Sequence, residues 1–158
     1  MDNLTHFLFG YILFVGRVNA ILILLFTNLP DIIAAPSRIY YTIIKDKKRT
    51  FGEFNFWIPN KHYLKLYRST HSLIFCLLVG FILSLFTKQY LVLTVCIASH
   101  IILDVFSHSG KWATRIFYPF SDFHINSFNW FKKDNFIKSV IIFIIIVLIV
   151  LFKILSGF

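Results

Sequence analysis

Charge is scarce in this chain. Asp, Glu, Lys and Arg make up only 15% of its 158 residues, against 58% hydrophobic and 19% aromatic. Soluble domains carry about 25% charged residues, so the composition excludes an ordinary soluble domain and predicts an integral membrane protein. Cysteine is nearly absent. Cys76 and Cys96 each lie in an apolar stretch and neither belongs to a Cys-x-x-Cys pair. A disulfide framework is therefore excluded, and both read as small packing residues. No His-Glu-x-x-His occurs, which speaks against a protease of that type. No nucleic-acid motif is visible, so no nucleic-acid partner is expected and the net charge of +9 needs another origin. Asp2 stands where a basic leader would be, and no small-residue cleavage site follows the first apolar run, so a cleaved signal peptide is not expected.

What the chain has in plenty is apolar sequence in runs. Residues 139–152 contain no charge, and the run 136–155 is about 20 residues, a membrane-spanning length at ~1.5 Å rise per residue. An earlier apolar run ends at Pro30 and is interrupted by Gly16, Arg17, Val18 and Asn19. As one straight helix it would hold His6 and Asp31 ~37 Å apart, on opposite membrane faces. As a hairpin of two short helices turning near residue 18 it returns them to one end. In that reading Leu29-Pro30 ends the second arm, because proline disfavours helical geometry before it. A second hairpin starts at His71, with Thr70 as N-cap, turns at Thr87, Lys88 and Gln89, and returns through Phe106. Between the hairpins, 37–48 reads as an amphipathic interfacial segment, followed by Phe54, Phe56, Trp57 and Tyr63 among lysines and asparagines. The expected fold is thus an all-α integral membrane protein in one domain. It comprises hairpin 5–31, interfacial connection 32–70, hairpin 71–108, polar loop 109–135 and transmembrane helix 136–156.

Two independent hairpins return metal-type side chains to the same end. His100 and Asp104, four apart on one helix, share a face, and His108 follows one turn later, just before Gly110. Alone, that pattern reads as a hydrogen-bonded core histidine and a solvated helix-end acid. Joined by His6, Asp31 and His71 it reads as a site for a divalent metal, zinc first, as one or two ions. Polar groups inside membrane bundles are costly and mark function. Of the 16 basic residues only Arg17, Lys88 and Lys153 fall at the other end, leaving 13 at the ligand end. The positive-inside rule then places the ligand end in the cytoplasm, where the same charge attracts anionic headgroups.

A series of short motifs carries a resemblance. Thr5-His6 with Gly10, Leu29-Pro30-Asp31, the run Tyr67-Arg68-Ser69-Thr70-His71-Ser72-Leu73, His100 through Asp104, and Pro119-Phe120-Ser121 occur in that order. Across residues 1–122 the chain resembles the membrane-bound metal-dependent hydrolase family that includes the YdjM and YbcI inner-membrane proteins. That family's ordered His, Asp, His, His-x-x-x-Asp pattern is similar to zinc-dependent phospholipase C, which implies metal-assisted phosphoester hydrolysis. Two positions depart from the pattern: Tyr67, where members often have His, and Ile33, where they often have a second acid.

The expected activity is hydrolysis of a phosphoester of a membrane lipid or lipid-linked molecule, by water activated on the metal. Arg68, beside the Thr70-His71 turn, is a candidate phosphate clamp. His108 is a further ligand or a proton donor, and Asp122 and His124 are acid–base groups or hydrogen-bond partners of the ligands. Ser121 has no base partner and is not a nucleophile candidate. Two other classes stand beside this one. One is a non-enzymatic membrane protein with a structural metal, recruiting a cytosolic protein partner through 32–70. The other is a transporter, disfavoured because the ligands gather at one end and not at the midplane.

Overall fold

The computed structural model describes residues 3–41, 60–127 and 133–156, with side chains of the last segment described from residue 141. Among the described residues the regular structure is all helical. The elements are α1 (Asn3–Phe14), α2 (Ala20–Thr27), α3 (Leu29–Ile39), α4 (Lys61–Thr70), α5 (Leu73–Ser84), α6 (Tyr90–Ser107) and α7 (Lys133–Leu155), with a 3-10 turn at Gly110–Trp112. Lys45, Lys47, Lys48, Arg49, Phe54, Phe56, Trp57, Lys132 and most of the amphipathic segment expected at 37–48 lie outside the described residues.

The first turn falls at the polar break. Gly16 adopts φ +81°, a conformation open to glycine at little cost, and Asn19 Oδ1 caps α2 by accepting from Ile21 N–H at 2.8 Å. α1 and α2 then cross so closely that a Cβ on Gly10 would collide with the Thr27 side chain. Gly80 does the same for α5 against α6, where a Cβ would stand 2.6 Å from Thr94 Oγ1. Small residues at such crossings let backbones approach, which matters because lipid supplies no hydrophobic drive between helices.

α6 is the central helix, packed against α1, α2 and α5. Cys96, Ile97 and Ile101 on it are at most 1% exposed. Both cysteines are buried and free, as their apolar surroundings imply. The outer faces are apolar, with Leu77, Phe81 and Leu91 more than 60% exposed, while Thr5, His6, Thr27, His71 and His100 are buried. An apolar exterior around a polar interior is the pattern of a bundle immersed in lipid. Among the helices whose side chains are described throughout, α6 alone is long and apolar enough to cross a membrane; counting α2 with α3 and α4 with α5 as bent spans raises the number to three. α7 packs along α1, and Lys153 Nζ donates to Ile12 O at 2.7 Å. That contact sets Lys153 at the end of α1 far from His6, beside the turn that carries Arg17.

Two local expectations are corrected. Pro30 does not end the helical course. It occupies the first turn of α3, where its missing N–H costs nothing, and the chain continues helically to Ile39, into residues expected to be connection. Thr70 is not an N-cap. It closes α4, His71 is the C-cap, and Ser72 Oγ caps α5 by accepting from Phe75 N–H at 3.2 Å. Helices α2 and α3 meet at 53°, and α4 and α5 at 56°. The bends fold α3 and α4 onto each other, where Ala34, Tyr63 and Tyr67 form a small core joined by Tyr41 and Trp112.

Candidate metal centre

The two bends build the site. Asp31 lies in the first turn of α3, where a carboxylate also suits the positive end of the helix. His71 is the residue at the α4–α5 break, His6 comes from α1, and His100 and Asp104 stand one turn apart on α6. His6 and Asp31, which a straight first helix would have separated, join one cluster. Asp104 Oδ1 stands 3.2 Å from His6 Nε2, and its Oδ2 3.4 Å from both His71 Nε2 and His100 Nε2. Asp31 Oδ1 is 3.3 Å from His71 Nε2. The His6 and His100 rings stack with centroids 3.8 Å apart.

These contacts are not ordinary hydrogen bonds. The Nε2 atoms of His6, His71 and His100 are buried and make none, although carboxylate oxygens stand within 3.4 Å. An unmade hydrogen bond on a buried polar atom costs ~1–3 kcal/mol, so three in one place need a cause. A metal ion held among them would supply it. Donors around a tetrahedral zinc with ~2.05 Å bonds stand about 3.3 Å from one another, whereas octahedral magnesium brings neighbouring donors to roughly 3.0 Å. The observed 3.2–3.4 Å separations are of the size found between donors gathered around one divalent ion. Two overlapping donor sets result, His6–His100–Asp104 and Asp31–His71–His100, sharing His100.

The residues around the donors fix their chemistry. His71 Nδ1 lies 2.9 Å from the Tyr67 carbonyl, which can only accept, so Nδ1 carries the proton and Nε2 presents its lone pair inward. Tyr67 also stacks on His71, centroids 4.0 Å apart. The tyrosine at that position therefore serves as a wall for the histidine ring. Ile33, at the other departure from the expected pattern, is 39% exposed. His108 caps α6 and joins the cluster through Nδ1, 3.2 Å from Asp104 Oδ1 and 3.3 Å from Asp104 O. It is thereby set to orient the carboxylate.

Three other candidates stand apart. Asp122 is on the exposed loop after the 3-10 turn, ion-paired with Arg115 at 2.6 Å, its side chain 77% exposed. His124 Nδ1 contacts Asp122 O at 2.8 Å. Arg68, about 100° round α4 from Tyr67, feels the charges of Arg115 and Asp122. None of the three contacts the donor set. The residue that sequence reasoning passed over is Arg38, which shares with Asp31 a cleft lined also by Asn3, Ala34, Ala35 and Tyr63. The available signal was the spacing 31, 34, 35, 38, one face of a helix, hidden by the assumption that Pro30 ended it.

Against known proteins, the family model described as YdjM inner membrane protein matches residues 1–157. No curated protein and no solved structure matches the chain.

Proposed function

We propose that this chain, which belongs to the YdjM inner membrane protein family, is a membrane-bound, metal-dependent hydrolase that cleaves a phosphoester of a lipid or lipid-linked substrate at the cytoplasmic face. The observation that carries the reading is the set of buried histidine Nε2 atoms without hydrogen bonds, gathered about Asp104 at donor spacing. His6, Asp31, His71, His100 and Asp104 would hold the metal. Once bound, a zinc-type ion supplies Lewis acidity toward a phosphoryl oxygen and toward the attacking water. The protein's part is positioning. Tyr67 and Thr70 fix the His71 ring, His108 orients Asp104, and the surrounding apolar helices exclude bulk water. Asp31 is the donor that reaches the surface, its side chain 29% exposed against 0–3% for His6, His71, His100 and Asp104. Substrate must therefore approach from its side.

The near-complete burial of the remaining donors also suits the second reading, a structural metal in a non-enzymatic membrane protein, since structural sites are closed. Metal analysis of the purified protein beside turnover of a phosphoester panel separates the two. Stoichiometric zinc with metal-dependent phosphate release supports the hydrolase. Stoichiometric zinc without turnover, across lipid and soluble esters, supports the structural role. Absence of metal after metal-replete purification refutes both.

A further inference from the structure

The cleft at Asp31, between α3 and α4, is small, with a cavity volume of about 80 Å³, well below that of a drug-sized ligand site. It has room for a phosphoryl headgroup and not for acyl chains. Its lining follows from helix geometry. Asp31, Ala34, Ala35 and Arg38 recur on one face of α3, the two alanines leaving space between an acid and a base. Tyr63 of α4 closes the opposite wall. The acid is a donor of the metal centre, so the cleft joins that centre to the surface, with a guanidinium about two helical turns, ~10 Å, along the wall. A metal at one end and an arginine along the wall favour a ligand with negative oxygens, which guanidinium binds in a planar fork. The other faces of α3 choose between a soluble and a lipid ester. Ile32 and Ile39, on one side of α3 about 80–100° round from Asp31, are 44% and 52% exposed, an apolar flank suited to acyl chains.

We propose that this cleft is the substrate entrance and that Arg38 binds the phosphoryl group of a membrane-lipid phosphoester whose chains lie along Ile32 and Ile39. The assignment rests on the metal-hydrolase reading. Arg68, the candidate from the sequence, serves as the internal control.

The test uses the full chain, loaded with zinc, in phosphatidylcholine nanodiscs with or without phosphatidic acid. Zinc content, phosphatidic acid retained on the protein, and affinity for inorganic phosphate are measured for the parent, Arg38→Gln, Arg38→Lys and Arg68→Gln. The expected result is full zinc in all four. Phosphatidic acid binding falls by ~10-fold or more in Arg38→Gln, the loss of a charge-assisted hydrogen-bonding partner, recovers in part in Arg38→Lys, and is unchanged in Arg68→Gln. Unchanged phosphatidic acid binding in Arg38→Gln with zinc intact overturns the Arg38 assignment and leaves the metal centre standing. A loss confined to inorganic phosphate overturns the lipid assignment. A parent without zinc overturns the hydrolase reading and this inference together.

Discussion

Replacing Asp104 by Asn separates the metal role of this carboxylate from its structural one. The side chain is 3% exposed, and its two oxygens face four imidazoles at 3.2–3.4 Å. Asn keeps the shape, removes the charge and turns one oxygen into an NH₂. Losing a mere hydrogen-bond partner of a ligand costs 10–100-fold in metal affinity. Losing a donor itself must exceed that, so the expected fall is at least ~100-fold, about 2.8 kcal/mol at 1.4 kcal/mol per decade. The metal-free fold loses much less. The remaining amide oxygen still accepts from His108, and weakening a charge-assisted bond to a neutral one costs ~1 kcal/mol. Chelator competition measures the first quantity, and thermal unfolding of the metal-free protein in detergent the second. A zinc affinity within threefold of the parent would refute the donor assignment, as would an equal loss in Cys76→Ala, a residue away from the cluster.

Three further outcomes follow from the same geometry. His108→Ala should lower zinc affinity by ~10–100-fold without abolishing binding, because His108 acts through Asp104; a chelator titration that shows no change would reassign it to the loop. Gly80→Ala should destabilise the α5–α6 hairpin by ~1–3 kcal/mol of overpacking, and Thr94→Ala added to it should restore most of the loss, since the new Cβ meets Thr94 Oγ1 at 2.6 Å; a double variant no more stable than the single one, by unfolding in detergent, would break the close-crossing argument. A topology reporter fused after Lys48 should read cytoplasmic and one after Phe158 extracytoplasmic, and the reverse pattern would place the metal centre outside.

What was legible in the sequence follows a physical divide. Breaks made by local chemistry could be read directly: Gly16 and Asn19 reverse the chain because glycine tolerates positive φ and asparagine caps, whatever surrounds them. The convergence of His6, Asp31, His71, His100 and Asp104 was legible for the same reason, since hairpins turning at 15–19 and 85–89 return their ends to one place. Orientation in three dimensions was not. Pro30 stops a helix coming from its N-terminal side, yet equally opens the next one, and only the packing of Ala34 against Tyr63 and Tyr67 decides that α3 forms. The same ambiguity misplaced the helix start at His71 and put Arg68 near the donors, because adjacency in sequence is not adjacency on a helix. Arg68 and Tyr67 point about 100° apart around α4, and the stacking of Tyr67 on His71 turns Arg68 toward Arg115.

The bends explain why such a site can exist inside an apolar bundle. A continuous helix offers donors to one side at fixed spacing, so four strands of donors closing on Asp104 require helices that stop and turn. Each stop frees carbonyl and N–H groups that lipid cannot satisfy. The sequence answers at each stop with short polar side chains. Thr27 Oγ1 donates to Ile23 O at 2.6 Å and Asn28 Nδ2 to Leu24 O at 2.9 Å at the first bend. At the second, Thr70 Oγ1 donates to Tyr67 O at 3.1 Å and Ser72 Oγ to Ser69 O at 2.9 Å. Thr27-Asn28 and Ser69-Thr70-His71-Ser72 are thus one device used twice, a polar patch that stabilises a broken helix and turns the residue beside it, Asp31 or His71, inward. Removing Thr27 and Asn28 together, as Val and Leu, should therefore cost zinc although neither touches it, because α2 would extend and carry Asp31 away. The check is metal content, and a variant that keeps its zinc would show that the bend forms without its polar residues.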